Sequence, residues 1–94
     1  MKTETAVMNW VKKVLWNYDV GGMKASSCHG EGEYFLSYNT PIARFVNGKI
    51  ELATKKYSST TSRHQGYLKR TIPGDLLVEV EEVKDEKGLY RYRW

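Results

Sequence analysis

The first hydrophobic pattern along the chain predicts a helix. Apolar side chains recur at spacings of three and four residues, at Val7, Val11, Val14, Leu15 and Tyr18. Thr3 or Thr5 is expected to cap the start of this helix, because a hydroxyl accepts a free backbone N–H there. Gly21 and Gly22 are expected to end it.

Residues 33–53 predict an antiparallel meander of three strands. Tyr34, Leu36 and Tyr38 alternate with their neighbours at a period of two, as in a half-buried strand. Asn47-Gly48 predicts a two-residue turn, because both residues accept positive φ angles. The register that follows pairs Val46 with Lys49, Phe45 with Ile50, Arg44 with Glu51 and Ala43 with Leu52.

The second half of the chain predicts a short helix and a final hairpin. The hydroxyl residues at positions 58–62 can cap a helix that ends before Pro73-Gly74, with Ser62 or Thr60 favoured as the cap. Residues 76–94 alternate as two strands around a polar turn. The predicted fold is a single small α+β domain over residues 1–94. Its order is an N-terminal helix, an antiparallel three-stranded meander, a short helix and a C-terminal β-hairpin. A flexible loop is expected at residues 20–32, where Gly30-Glu31-Gly32 indicates loop flexibility.

Composition excludes a few classes of protein and favours others. The chain has 94 residues, one cysteine and a formal net charge of +4. One cysteine forms no internal disulfide, and neither a signal core nor an apolar run of membrane-spanning length is present. We therefore expect an intracellular protein without membrane contact, and a mild preference for acidic partners.

Charge is unevenly distributed along the chain. Residues 53–74 carry five basic side chains and no acidic one, whereas residues 75–94 carry six acidic and four basic side chains. On a helix, Arg63, Tyr67 and Arg70 align on one face, where two arginines can bind phosphate and the tyrosine ring can stack on a base. A solvated face paired with the acidic C-terminal hairpin remains the alternative. The predicted partner-binding or nucleic-acid-binding residues are Lys55, Lys56, Arg63, Tyr67, Lys69 and Arg70.

Trp16 is a large aromatic residue on the polar side of the first predicted helix, beside Lys12 and Lys13. Two hypotheses account for it. The loop at residues 20–32 folds over the indole ring, or the ring is an apolar anchor for a partner. Trp16 therefore joins the predicted partner-binding residues.

Candidate catalytic groups are few. Cys28 and His29 are adjacent, so on an extended chain their side chains point to opposite sides and form no nucleophile–base pair. His64 shares a predicted helical stripe with Thr61, Leu68 and Ile72, which favours a packed, hydrogen-bonded histidine. Metal-ligand spacing is absent. We expect no catalytic residue, no metal and no cofactor.

Three segments together resemble a family of small proteins encoded by bacteriophages and proviruses. They are the strand Leu36-Ser37-Tyr38-Asn39-Thr40-Pro41-Ile42-Ala43, the Asn47-Gly48 turn and the run Lys56-Tyr57-Ser58-Ser59-Thr60-Thr61-Ser62-Arg63-His64-Gln65. The resemblance covers the middle third of the chain and implies an origin, not a mechanism. Small phage proteins of this kind often bind and block host machinery, including CRISPR effectors, and this is an analogy of genome context.

These observations lead to one functional hypothesis and two alternatives. The leading one is a non-enzymatic phage interaction protein, in the host cytoplasm, that inhibits a host defence or regulatory complex as an anti-CRISPR protein does. Its partner is expected to be a host protein or ribonucleoprotein complex, with the chain itself a monomer or homodimer. The alternatives are a regulator that binds nucleic acid directly through residues 55–70 and, third, a small nuclease that uses His64.

Overall fold

The computed structural model of the protein describes residues 1–84, which form two helices and a five-stranded sheet. In chain order the elements are α1 (Thr3–Trp16), β1 (Cys28–Glu31), β2 (Tyr34–Ser37), β3 (Thr40–Val46), β4 (Lys49–Ala53), α2 (Ser59–Thr71), a 3₁₀ turn (Gly74–Leu76) and β5 (Leu77–Val80). Spatial order in the sheet equals chain order. The α+β class is therefore confirmed, although the number and pairing of the strands differ from the prediction.

The β3–β4 hairpin has the predicted register. Phe45 lies opposite Ile50 and Arg44 lies opposite Glu51. Asn47 and Gly48 have φ angles of 53° and 77°, the positive values that a two-residue turn of this type requires. The turn and the alternation of apolar side chains specify the same register, so local sequence was sufficient to predict it.

The expectation of a flexible loop over residues 20–32 is wrong for its second half, which forms β1. Cys28–Glu31 pairs antiparallel with β2, and Lys24 bridges to His29 on the other side of the strand. Gly30 is required for packing here, because a Cβ atom at this position would lie 2.4 Å from the Trp10 ring. The Trp10 indole N–H then donates to the Gly32 carbonyl oxygen at 3.1 Å.

The first strand of the predicted C-terminal hairpin is present as β5, and within the described residues it joins the sheet beside β4. β5 pairs with β4 in parallel, with Ile50 opposite Leu77. Helix α2 is the crossover that makes this possible, because it returns the chain to the starting end of β4 before β5 begins. The strand predicted at residues 89–94 lies outside the described residues.

The helix boundaries also differ from the prediction in instructive ways. Lys2 occupies the position before α1 and contributes no side-chain cap, so Thr3 is the first helical residue and not the cap. Asn17, in the left-handed conformation, ends α1 before the predicted Gly21-Gly22 stop. Ser58, one of the hydroxyl residues predicted as possible caps, caps α2 by accepting the Thr61 N–H at 3.2 Å, and the preference for Ser62 or Thr60 is wrong. The end of α2 before Pro73 is as predicted.

Both helices pack on one face of the sheet and enclose the main hydrophobic core. Its members alternate along the strands and recur at helical spacing on α1 and α2. The fully or nearly buried ones are Ala6, Val7, Trp10, Val11, Phe35, Ile42, Ala43, Ile50, Leu52 and Leu68. The opposite face carries a smaller cluster of Tyr34, Leu36 and Ala53 that Val83 covers. Arg44, on this second face, approaches Glu51 at 3.7 Å, as the predicted register requires.

Candidate binding surface around α2

The sheet-facing side of α2 is the predicted stripe. Thr61, His64, Leu68 and Ile72 are all buried against the sheet and α1. His64 is only 2% exposed, so the sequence-based prediction of a packed histidine is confirmed. This side fixes the orientation of α2 and thereby which side chains the helix presents outward.

Both ring nitrogens of His64 contact hydroxyl groups. Nδ1 lies 2.7 Å from the hydroxyl oxygen of Ser37 on β2, and Nε2 lies 3.2 Å from that of Ser27 in the segment before β1. Burial, with a smaller contribution from the Arg63 charge, lowers the pKa of His64, because both disfavour a charged imidazolium. The ring is therefore neutral near pH 7, with one proton to donate.

The hydroxyl groups around His64 form a head-to-tail chain. Ser58 donates to Thr61, whose hydroxyl lies 2.9 Å from Ser37. The Thr61 proton then goes to Ser37, and Ser37 donates to Nδ1 of His64. This order assigns the ring proton to Nε2, which donates to Ser27. The hydroxyl proton of Ser27 is consequently left to donate elsewhere.

This environment bears on the nuclease alternative. His64 is nearly inaccessible, and among residues 1–84 its ring nitrogens hydrogen-bond to hydroxyl groups, with no carboxylate within 4 Å. A general base must come within hydrogen-bond reach of the proton that it abstracts, and here both ring nitrogens already contact buried or partly buried hydroxyl groups. The contacts of His64 therefore hold α2 to β2 and to the Ser27 segment.

One side of α2 carries two exposed arginines and a half-buried tyrosine that packs partly against the core; we call Arg63, Tyr67 and Arg70 the open flank. The guanidinium carbon of Arg70 lies 4.8 Å from the centre of the Tyr67 ring, a cation–π arrangement. Within residues 1–84, neither Arg63 nor Arg70 has a carboxylate within 4 Å. The structure thus brings together three of the predicted site residues on one side of the helix, two exposed cations and a half-buried aromatic ring.

Two other predicted cations, Lys55 and Lys69, lie on the side of α2 that faces β5 and the residues after it. We call these two lysines the paired flank. Lys55 Nζ lies 2.7 Å from a carboxylate oxygen of Glu82, and Lys69 Nζ lies 3.5 Å from one of Glu79. Gln65 adds to this side, since its amide N–H groups donate to the carbonyl oxygens of Ala53 and Lys55 at 2.8 and 3.0 Å. Internal pairing therefore accounts for these two lysines, as the alternative hypothesis held.

Two clefts flank the start of α2. One, of 530 Å³, lies between the first turns of α1 and α2; its lining includes Lys2, Glu4, Ser26, Ser27, Thr60, Arg63, His64 and Tyr67. The other, of 580 Å³, contains the remaining predicted cation, Lys56, with Tyr38 and Tyr57 as aromatic walls. The hydroxyl–imidazole chain runs beneath α2 from Ser58, in the second cleft, to Ser27, in the first.

Trp16 lies away from these clefts, at the far end of α1. With a rise of about 1.5 Å per residue, the helix separates it from the first cleft by about 20 Å. The indole is 49% exposed and its ring centre lies 6.0 Å from that of Tyr18, which is 54% exposed. The hypothesis that residues 20–32 cover Trp16 is wrong, and so is the placement of Tyr18 on the buried stripe.

The cysteine and the second histidine form no reactive pair. Cys28 is buried, and burial raises the pKa of its thiol, so the thiol stays protonated. His29, on the opposite side of β1, lies 3.9 Å from Glu31. In the described part of the chain, no group of three His, Cys, Asp or Glu side chains is placed to hold a metal ion.

Sequence reasoning missed Lys2, Ser27 and Tyr38. Ser27 and His64 are 37 positions apart in the sequence, so no local pattern predicts their contact. Tyr38 offered a weak signal: it is a bulky residue in the turn between β2 and β3, with a φ of 57°, and it is 56% exposed. The alternation with Tyr34 and Leu36 predicted Tyr38 as a strand residue, which is wrong because β2 ends at Ser37.

Comparisons with known proteins place the chain in a family but supply no activity. Curated proteins and solved structures give no match. Among residues 1–84 no helix has the length and apolar character needed to cross a bilayer. A family model matches residues 8–79, from within α1 to within β5 and well over half of the chain. The chain therefore belongs to DUF8033, a family of unknown function.

Proposed function

We propose that the protein is a non-enzymatic interaction protein that binds the nucleic-acid component of a host complex through the open flank of α2. The observation that carries the proposal is the position of two exposed arginines, Arg63 and Arg70, on either side of the half-buried Tyr67 ring on one helix face. Arginine binds phosphate through two parallel hydrogen bonds, and a tyrosine ring offers a stacking surface to a base.

The sign of the charge supports a nucleic-acid component over the protein groove that holds it. A protein groove that binds nucleic acid is itself basic, so a chain with a net charge of +4 and an arginine-rich flank is repelled from it. Guide RNA or bound DNA, in contrast, attracts such a surface at long range. The expected partner is thus a ribonucleoprotein contacted on its exposed nucleic acid.

The resemblance to phage proteins supports a consequence for the host. A small protein that occupies the nucleic acid of a defence complex blocks access to it, which is how an anti-CRISPR protein of this type inhibits. We place the protein in the host cytoplasm, where such complexes act. The exposed Trp16–Tyr18 pair is a second contact, in which the indole anchors the protein component.

A second candidate function is a regulator that binds nucleic acid without any protein partner. The stacking of Arg70 on Tyr67 favours it, because this contact holds one face of the ring and leaves the ring as a rigid platform for a base. The two candidates differ in whether the purified chain alone binds nucleic acid with useful affinity.

Affinity capture with and without ribonuclease tests the leading proposal. The tagged protein is expected to retain a ribonucleoprotein from host lysate, and ribonuclease is expected to release it. Arg63→Ala with Arg70→Ala should lower the recovered nucleic acid about tenfold or more, because two phosphate contacts are lost. Lys13→Ala with Lys49→Ala removes the same charge at sites away from α2 and is the matched control.

Capture that ribonuclease leaves unchanged and that both double variants support equally would contradict the proposal. Both double variants should keep the free energy of unfolding within about 0.5 kcal/mol of the parent, because all four side chains are exposed.

A further inference from the structure

We infer that the cleft between the first turns of α1 and α2 holds the phosphodiester backbone of a single-stranded nucleic acid, with an unpaired base against Tyr67. The inference rests on the proposed function and names its ligand class. We call this 530 Å³ cleft, which Lys2, Ser27, Arg63 and Tyr67 line, the Lys2–Arg63 cleft.

The cleft presents hydrogen-bond donors to an anion from several directions. Lys2 reaches it from the position just before α1 and Arg63 reaches it from α2, and both are exposed cations. Ser27 adds a hydroxyl group, 3.2 Å from Nε2 of His64, that can donate to an anion in the cleft. A phosphate group carries acceptors only and fits such a set.

The open flank extends directly from this cleft. Arg63 and Tyr67 line the cleft, and Arg70 covers one face of the Tyr67 ring at 4.8 Å. A strand that leaves a phosphate between Lys2 and Arg63 therefore meets the ring within one helical turn. This continuity links the cleft to the proposed function by shared residues.

The aromatic ring selects the form of nucleic acid. A base in a duplex is stacked between its neighbours and has no free face, whereas an unpaired base can stack on a side chain. Lys2, just before α1, and Arg63, on α2, contact one backbone, and the ring receives one base. Single-stranded RNA or DNA is thus the ligand class.

One acidic residue among those lining the cleft opposes the ligand. Glu4, in the first turn of α1, is exposed at the rim. Its carboxylate repels a phosphate and so weakens binding. This gives a test of opposite sign: removal of the Glu4 charge should strengthen binding, while removal of the Lys2 charge should weaken it.

The experiment is fluorescence anisotropy with the full chain and a labelled 12-nucleotide single strand, compared with a duplex of the same length. The single strand is expected to bind at least tenfold more tightly. Lys2→Ala should weaken binding and lower the slope of log affinity against log salt by about 0.7, the loss of one phosphate contact to a single strand. Lys2→Arg should restore both quantities, and Glu4→Gln should tighten binding.

Lys49→Ala is the matched control, because Lys49 is an exposed cation at the β3–β4 turn and lines neither cleft. If Lys2→Ala behaves as Lys49→Ala does while Arg70→Ala weakens binding, the cleft inference is overturned and the proposed function stands. Equal affinity for duplex and single strand, or no binding to either at low salt, overturns the inference too. The ribonuclease-dependent capture then decides the proposed function independently.

Discussion

The two sides of α2 carry the same kind of charge but have different neighbours. On the paired flank, Lys55 and Lys69 meet the carboxylates of Glu82 and Glu79, which enter through β5 and the residues after it. On the open flank, Arg63 and Arg70 meet no carboxylate within residues 1–84. The comparison shows that basic residues close in sequence take separate roles once a strand supplies acids to one side only.

The largest expected change in the free energy of unfolding comes from substitution of His64, which lies between the two flanks of α2. His64→Ala should lower the free energy of unfolding by about 2–4 kcal/mol, because it leaves a cavity and removes the hydrogen bonds to Ser27 and Ser37. Urea denaturation is the measurement. His29→Ala is the control of the same residue type, and its half-exposed ring predicts a loss below about 0.5 kcal/mol. Equal losses in the two variants would show that the hydrogen bonds between His64 and the surrounding hydroxyl groups contribute nothing to stability.

The same histidine predicts a pH dependence with a definite sign. Because burial lowers the pKa of His64 in the folded protein below its usual value of 6.5, the unfolded chain binds more protons as the pH falls through 6.5. Stability should therefore fall below pH 6.5 and level off once the folded ring is also protonated. This slope should shrink in His64→Gln and persist in His29→Ala. A slope that is identical in both variants would assign the effect to other groups.

The next largest change in stability compares one residue from each flank of α2. Gln65→Ala, on the paired flank, should cost about 1–2 kcal/mol, since two carbonyl oxygens at the end of β4 lose their donor. Arg63→Ala, on the open flank of the same helix, should change stability by less than about 0.5 kcal/mol. Thermal and urea unfolding of the two single variants measure the difference. A larger loss for Arg63→Ala would give the open flank a structural role.

The smallest effect concerns the ion pairs themselves. A double-mutant cycle on Lys69 and Glu79 should give a coupling energy of about 0.5 kcal/mol or less, because both side chains are half-exposed and salt screens them. The coupling should decrease further at 1 M salt. A coupling above about 2 kcal/mol would mean that pairing, and not packing, holds β5 beside α2.

Prediction from the sequence succeeded where information is local. The Asn47-Gly48 turn and the alternation around it gave the β3–β4 register residue by residue, since φ preferences and the period of two act over a few residues. It failed where an element depends on distant partners. Cys28-His29-Gly30-Glu31 contains little strand signal, and it becomes β1 because Trp10 packs onto Gly30 and β2 offers a free edge.

The candidate site divides in the same way. The helical spacing of Arg63, Tyr67 and Arg70 follows from the period of 3.6 residues, so their common face was predictable. The loss of Lys55 and Lys69 to internal pairs was only one of two alternatives, because it depends on the direction in which β5 runs. Lys2 and Ser27 were absent from the prediction, since their elements meet α2 only in the folded chain.

The sequence by itself determined which segments are helical, where the central hairpin turns and that a basic, acid-free stretch follows it, because turn chemistry and periodicity are properties of neighbouring residues. Tertiary structure alone decided that β5 lies parallel to β4, that its acids neutralise one flank of α2, and that Lys2 and Ser27 complete a cleft beside the other. These outcomes depend on packing between residues that are distant in sequence, up to 61 positions for Lys2 and Arg63, and on charges whose partners are known only once the chain is folded.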